Sequence, residues 1–345
     1  MTEVIIVGSG PAGMSAAYFL SLNKDVEVTV LERLGDDQYK RYHSICGGGI
    51  SRNTFKRLGP MRPSGILNHI SRTRIVWTDG TEVKMRTPGY VLDRPTFLSD
   101  LRKECEDRGA RFVKASVFDI SFDGRYLLRT TSGEEFSSDW LIGADGCFST
   151  VRKCLFGTVP VDKVPATECI IEGKTTDEFV VKLRADGTGT YTWSFPRGDR
   201  TGTGGMKGYT EGNEILKGSR FIPIGGVGDI VKDHAFLIGD AAAMANPVCF
   251  GGLKAALLSG KKVCESIVSD KPQILQKWWN SSILSDKRFL GVYRELKTWS
   301  EEDLNRAVRP FRHGGVYLPG IWVCITRPKI AKMYVGCLMT FKYAW

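Results

Sequence analysis

The strongest constraint on this chain is a glycine loop that follows an apolar run and precedes a helix-forming one. Gly8-Ser9-Gly10-Pro11-Ala12-Gly13 follows Val4-Ile5-Ile6-Val7 and precedes Met14-Ser15-Ala16-Ala17-Tyr18-Phe19-Leu20, a strand-to-helix turn. Gly8 permits the tight turn, Gly10 lets backbone N–H groups approach a pyrophosphate, and Gly13 lets helix and strand pack closely. The N-terminus of the helix, at Ala12, favours the phosphate charge. A second strand, Val26-Glu27-Val28-Thr29-Val30-Leu31, ends at Glu32, with Arg33 beside it. An acid about 20 residues past the loop accepts hydrogen bonds from a ribose 2′-hydroxyl and argues against a 2′-phosphate.

Two later segments extend the pattern. Ala144-Asp145-Gly146 ends the run Trp140-Leu141-Ile142-Gly143, and Gly239-Asp240-Ala241-Ala242 ends Ala235-Phe236-Leu237-Ile238. Three separated segments in this order describe one long dinucleotide touched by distant parts of a single fold, and the cofactor is read as FAD. The fold class is α/β: a Rossmann-like FAD-binding domain assembled from discontinuous segments, a mixed or antiparallel β-sheet substrate domain, and a helical C-terminal segment. The expected boundaries are 1–72, 91–154 and 231–268 for the FAD-binding domain, 73–90 and 155–230 for the β-rich domain, and 269–345 for the tail. Within them, Thr73–Trp77 and Thr81–Met85 read as a hairpin turned by Asp79-Gly80, and a helix capped by Asp93 or Thr96 runs to near Gly109.

The 345 residues suffice for a sizeable core. The nine cysteines are scattered without paired spacing, and no signal peptide precedes the first strand, so a reducing cytoplasm is expected. The sequence leaves open whether Cys147 and Cys154 pair. His43, His69, His234 and His313 show no metal-ligand spacing, and no metal is expected. Charge is uneven: residues 254–345 carry 16 Lys and Arg against 7 Asp and Glu, which is +9 of the net +10. Large apolar residues alternate with these cations, as in the run from Val316 to Ile325 and on to Arg327. No stretch reaches the ~20 apolar residues of a spanning helix. The tail therefore reads either as ordinary helical packing or as peripheral contact with a membrane or lipid substrate; no nucleic-acid recognition motif accompanies it.

Together the three segments resemble the FAD-dependent oxidoreductases of the para-hydroxybenzoate hydroxylase superfamily. The resemblance implies that Asp240 holds the ribityl chain, that Asp145 and Gly146 form the middle motif, and that Arg94 lies near the flavin. Cys46-Gly47-Gly48-Gly49-Ile50-Ser51 and Tyr191-Thr192-Trp193-Ser194-Phe195-Pro196-Arg197 resemble two motifs of the geranylgeranyl reductase family, whose members saturate prenyl chains. The resemblance covers residues 1 to about 260. It departs after Asn246-Pro247, where a glycine-rich run is usual and this chain reads Val248-Cys249-Phe250-Gly251-Gly252. It places Cys46, Gly47, Pro247, Gly239, Gly251 and Gly252 among the cofactor residues, with Phe250 in place of a small residue near the isoalloxazine.

Saturating an isolated alkene needs a hydride from reduced flavin, a proton from an acid, and a dry apolar tunnel. Tyr191, Trp193 and Phe195 share one strand face at period two and, with Pro196 and Phe250, are the expected tunnel. Cys46, Gly47, Tyr191 and Trp193 are the candidate catalytic residues. The expected activity is an FAD-dependent reductase acting on a geranylgeranyl chain of a membrane lipid precursor such as digeranylgeranylglycerophospholipid. The alternatives are an FAD-dependent aromatic monooxygenase and a non-catalytic flavin- or lipid-binding electron carrier. The reductant is NAD(P)H or reduced ferredoxin, between which the sequence does not choose; oligomeric state is likewise open.

Overall fold

The computed structural model describes residues 1–345 apart from 175, 207, 211, 313–315 and 345, and apart from the side chains of 329 and 344. Two layers organise the site. The first is a six-stranded sheet in which β1 (Thr2–Val7) lies between β2 (Val26–Glu32) and β10 (Trp140–Gly143). It continues to β6 (Arg111–Lys114) on one side and to β17 (Ala235–Leu237) and β16 (Val231–Lys232) on the other. All its pairings except β16 with β17 are parallel. Such strands are covered on both faces, which is why they read as unbroken apolar runs rather than alternating ones. Helices α1 (Pro11–Leu20) and α5 (Leu253–Val268) pack so closely that a Cβ on Gly260 would lie 2.6 Å from Ala16 N. Ser15 Oγ donates to Leu257 O across the same contact at 2.6 Å. The main core fills the space among this sheet, α1, α4 (Arg94–Glu106, capped by Asp93) and α5.

The second layer is an eight-stranded sheet. Its order is β15 (Glu214–Ile224), β11 (Asp162–Glu172), β14 (Arg200–Met206), β13 (Tyr191–Arg197), β12 (Phe179–Leu183), β4 (Ile66–Val76), β5 (Glu82–Leu92) and β3 (Gly49–Ser51). The expected short hairpin is longer at both ends. A register shift between Ile70 and Arg72 absorbs Thr87 and Pro88 opposite, and this lets β5 run through a proline that reads locally as a strand end. The segment 111–138 gives, besides β6, a small three-stranded sheet of β7 (Val117–Asp123), β8 (Arg125–Thr130) and β9 (Glu135–Ser138). Two short helices, α2 (Asp36–Ser44) and α3 (Arg52–Leu58), bridge the layers. The tail forms α6 (Gln273–Ser281), α7 (Lys287–Leu296), α8 (Glu301–Val308), α9 (Tyr317–Thr326) and α10 (Pro328–Met339). Among the described residues no helix is long and apolar enough to cross a membrane. None of the nine cysteines forms a disulfide, Cys147 and Cys154 included.

Candidate active site

The glycine loop is built by exclusion. A Cβ on Gly8, whose φ is +97°, would sit 2.6 Å from Ala144 O, and one on Gly13 would collide with the Gly8 carbonyl. Gly10 differs: a Cβ there would meet nothing nearer than His43 Cε1 at 3.8 Å, so the space beside it is open. Gly10 also caps α1 without a side-chain hydrogen bond, and Pro11 opens the helix, so Ala12 and Gly13 present the free N-terminus an anion needs. Glu32 braces this loop: its carboxylate accepts from Ser9 N at 2.9 Å, Ser9 Oγ at 2.8 Å and Leu34 N at 2.9 Å. Arg33 beside it is exposed. The third motif meets the first directly, because a Cβ on Gly239 would come within 2.7 Å of Ala12 Cβ.

The two acidic motifs behave differently. Asp145 turns back onto its own loop, accepting from Ser149 Oγ at 2.5 Å, Thr150 N at 2.6 Å and Val151 N at 3.2 Å. Its carboxylate shapes the turn, leaving Gly146 (φ +81°, nothing near its missing Cβ) as the open position of that motif. Asp240 is walled by protein, so that burial pushes its carboxyl up against the pull of Arg220 and Arg94, yet the residue is exposed. That combination describes the wall of a cleft. Gly252, at the uncapped N-terminus of α5, faces it: a Cβ there would stand 3.3 Å from Asp240 Oδ1.

Three arginines from three elements clamp the segment between α2 and β3. Arg220 Nη2 donates to Tyr42 O at 2.6 Å, Arg94 Nε to His43 O at 3.2 Å, and Arg197 Nη1 to Cys46 O at 2.7 Å. The first two satisfy carbonyls in the last turn of α2, where cations are favoured. His43, its ring tilted against Tyr39 at 4.3 Å between ring centroids, is buried, and desolvation followed by repulsion from Arg94 and Arg220 lowers its pKa to about 2. Its Nδ1 and Arg94 Nη2 are buried without a hydrogen-bond partner. Orphaned donors and acceptors of this kind cost about 1–3 kcal/mol each unless a ligand satisfies them.

The clamped segment carries Cys46 and Gly47 onto one face of the large sheet. A Cβ on Gly47 would lie 2.7 Å from the Phe195 ring. Tyr191, Trp193, Phe195 and Arg197 alternate onto this face; Pro196, expected on the tunnel wall, falls on the opposite face and is buried there, because side chains in a strand alternate. Tyr191 donates its hydroxyl to Cys249 O at 2.5 Å and stacks on Phe250 at 5.7 Å between centroids, so it braces the loop after Pro247. Phe250 holds a left-handed φ of +51°, the conformation a glycine-rich run supplies freely, and it is held by Tyr191 and Tyr293. Gly251 is close to Cys249 Sγ, which a Cβ would approach to 3.2 Å. Sequence reasoning missed His43, Arg197, Arg220 and the buried Glu168; only Arg197 carries a local signal, as the last residue of the aromatic motif. Among the described residues no cluster could hold a metal ion; His313 lies outside them.

A family model described as an NAD(P)-binding Rossmann-like domain matches residues 6–36. The digeranylgeranylglycerophospholipid reductase of Methanothrix thermoacetophila is 26% identical over 88% of this chain and 90% of its own length. A geranylgeranyl bacteriochlorophyll reductase-like protein of Thermoplasma acidophilum superposes with a TM-score of 0.77 at 20% identity, covering 96% of this chain and 98% of that one. The chain is thus similar in sequence to digeranylgeranylglycerophospholipid reductases and has the fold of a geranylgeranyl reductase-like protein. The wider fold is shared with 2,6-dihydroxypyridine-3-hydroxylase of Arthrobacter nicotinovorans, with a TM-score of 0.64 at 17% identity over 86% of this chain and 91% of that one. The residues present fit FAD: a glycine cradle that side chains would fill, two uncapped helix N-termini, a cleft-wall aspartate and unpaired polar atoms on His43 and Arg94.

Proposed function

We propose that the chain saturates C=C bonds of a geranylgeranyl chain on a membrane lipid precursor, digeranylgeranylglycerophospholipid being the substrate named for its relatives. The observation that carries this reading is the seating of the Cys46-Gly47 loop on the Phe195 ring, which joins the cofactor cradle to an aromatic sheet face. Gly8, Gly10, Ala12 and Gly13 hold the pyrophosphate, Glu32 the ribose, and Asp240 the ribityl chain, with Arg94, Gly146, Pro247, Gly251 and Gly252 around the ring system. FAD, once reduced, supplies the hydride. Trp193 and Phe195 exclude water and give an alkene a π-face on which developing positive charge is tolerated. The same sheet face continues through Val181 to Ile75 and Val83, paired in register, and ends in an apolar cavity closed by Phe311, Tyr334 and Leu338. That cavity suits the far end of a prenyl chain.

The domain division proposed follows the layers, with the FAD-binding sheet, the large substrate sheet and the helical tail as units, and the protein works in the cytoplasm against the membrane surface. On α9, Tyr317, Leu318, Ile321, Trp322 and Ile325 leave one flank exposed, with the Arg327 guanidinium 5.2 Å from the Trp322 ring. An apolar flank beside cations is the pattern of an interfacial helix. NAD(P)H or a reduced ferredoxin on the basic tail supplies electrons. The test is anaerobic reduction of the purified flavoprotein followed by mixing with geranylgeranylated glycerophospholipid. Flavin reoxidation with a gain of two hydrogens per double bond supports the reductase; a flavin that stays reduced until air enters defeats it in favour of a monooxygenase or carrier.

A further inference from the structure

The large sheet buries a carboxyl that the cradle does not need. Glu168, on β11, is 6% exposed. It pairs with Gly218 on one side and Gly204 on the other, and Gly204 pairs in turn with Trp193. Directly paired residues share a face, so Glu168 and Trp193 point the same way with a glycine between them. The missing side chain lets the indole lie over Gly204, where a Cβ would overlap its Cζ2 and Cε2. The diagonal neighbour is also glycine: a Cβ on Gly202 would come 3.1 Å from Glu168 Oε1 and 2.9 Å from Arg197 Cδ. Ile45, just before the Cys46-Gly47 loop, covers Gly218. The carboxyl therefore sits beside the expected tunnel wall, under the loop that reaches the cofactor cradle.

Burial raises the Glu168 carboxyl pKa while nearby cations oppose the shift. The charged groups facing it are Arg197 on its neighbouring strand pair, Arg220 on β15 and Arg94 on α4. Each has a guanidinium hydrogen bond to a carbonyl of the 42–46 segment, and Arg197 also faces Asp93 at 3.7 Å. Neither Glu168 Oε1 nor Trp193 Nε1 completes a hydrogen bond, although the indole is near enough to favour the anion slightly. Desolvation dominates over the three arginines, and the carboxyl is raised to about 7. A buried acid poised near neutrality is what proton donation at physiological pH requires.

We propose that Glu168 is the proton donor for alkene saturation, an inference that rests on the reductase reading above. The Glu168 O–H bond breaks and its proton bonds to the less substituted alkene carbon. The π pair forms that C–H bond, and the methyl-bearing carbon takes a hydride from the reduced flavin. The flavin is oxidised by two electrons, the alkene gains two hydrogens, and the carboxylate is reprotonated from water. Trp193 is the positioning residue, its indole fixing the substrate edge nearest the acid.

The experiment compares wild type with Glu168→Gln, which keeps shape and removes the acid. Flavin content and the rate of flavin reduction are measured first, then single-turnover reoxidation by geranylgeranyl lipid from pH 5 to 9. Infrared difference spectra on substrate binding follow the protonated-carboxyl band. The expected result is a wild-type reoxidation rate that falls as pH rises through about 7, a carboxyl band absent from the variant, and a loss of about 100-fold or more in the variant with FAD and its reduction unchanged. A variant that reoxidises at the wild-type rate with the wild-type pH profile overturns the assignment while leaving the reductase standing. A wild-type enzyme that adds no hydrogen to the lipid overturns both.

Discussion

Replacing Gly204 by alanine adds one methyl group where the structure has an indole. The new Cβ would overlap Trp193 Cζ2 and Cε2 and come 2.7 Å from Thr167 O, so the backbone leaves no retreat on the far side. Carbon atoms settle at about 3.5–4.0 Å, so the ring must shift by more than ~1 Å. Overpacking of this kind costs about 1–3 kcal/mol, which lowers Tm by a few degrees. The larger effect is on the reaction: a ~1 Å displacement of a positioning group costs about 100-fold in rate, or ~2.7 kcal/mol in the barrier. The cradle residues lie on another layer, so FAD stoichiometry and absorbance should match wild type while single-turnover reoxidation by geranylgeranyl lipid slows about 100-fold. Wild-type turnover in Gly204→Ala would show that the indole is not part of the substrate wall, and loss of FAD would show that cofactor and substrate residues are not separable.

Gly13→Ala should abolish FAD retention outright, because its Cβ collides with the Gly8 carbonyl; flavin absorbance of the purified protein decides it. Asp240→Ala should leave a folded protein whose FAD affinity, read by titrating apoprotein, falls about 10- to 100-fold, the value of one hydrogen bond to a charged group. His43 has a folded pKa near 2 against about 6.5 unfolded, so the unfolded chain takes the proton first and stability drains as pH falls below about 6.5. His43→Phe should flatten urea midpoints between pH 6.5 and 4.5 in the apoprotein; an unchanged slope would refute the burial of a neutral ring. Glu168 works in the opposite sense, its raised carboxyl stabilising the fold at low pH and ceasing to do so as pH rises through about 7. Glu168→Gln should therefore steepen the same acid-side slope.

The β-α-β unit was legible because its signals are local: glycine spacing, a proline at the first helical position and an acid at the end of β2. Asp240 stood out for the same reason, following a short apolar strand. Asp145 shows the limit of that reading, since the same motif type places its carboxylate on its own loop. Glu168 was invisible for a different cause. A glutamate in Ala166-Thr167-Glu168-Cys169 gives no hint of burial, and its neighbours Gly204 and Trp193 become neighbours only through pairings across three strands. Pro196 was misplaced by treating a motif as a surface: consecutive residues in a strand cannot line one wall.

The three guanidinium contacts on residues 42–46 span sequence separations of 178, 51 and 151. Each needs its own donor element, β15, α4 or β13, so the full clamp on the loop bearing Cys46 is complete only when all three are in place. Contacts of such long reach slow folding, since loop closure must precede any reward from the contact. The cradle of Gly8 to Gly13 has long-range walls of its own, Ala144 against Gly8 and Gly239 against Ala12. Both the nucleotide cradle and the Cys46 loop are therefore completed by residues from the middle and late chain, so a truncated chain that keeps the β-α-β unit should lack both.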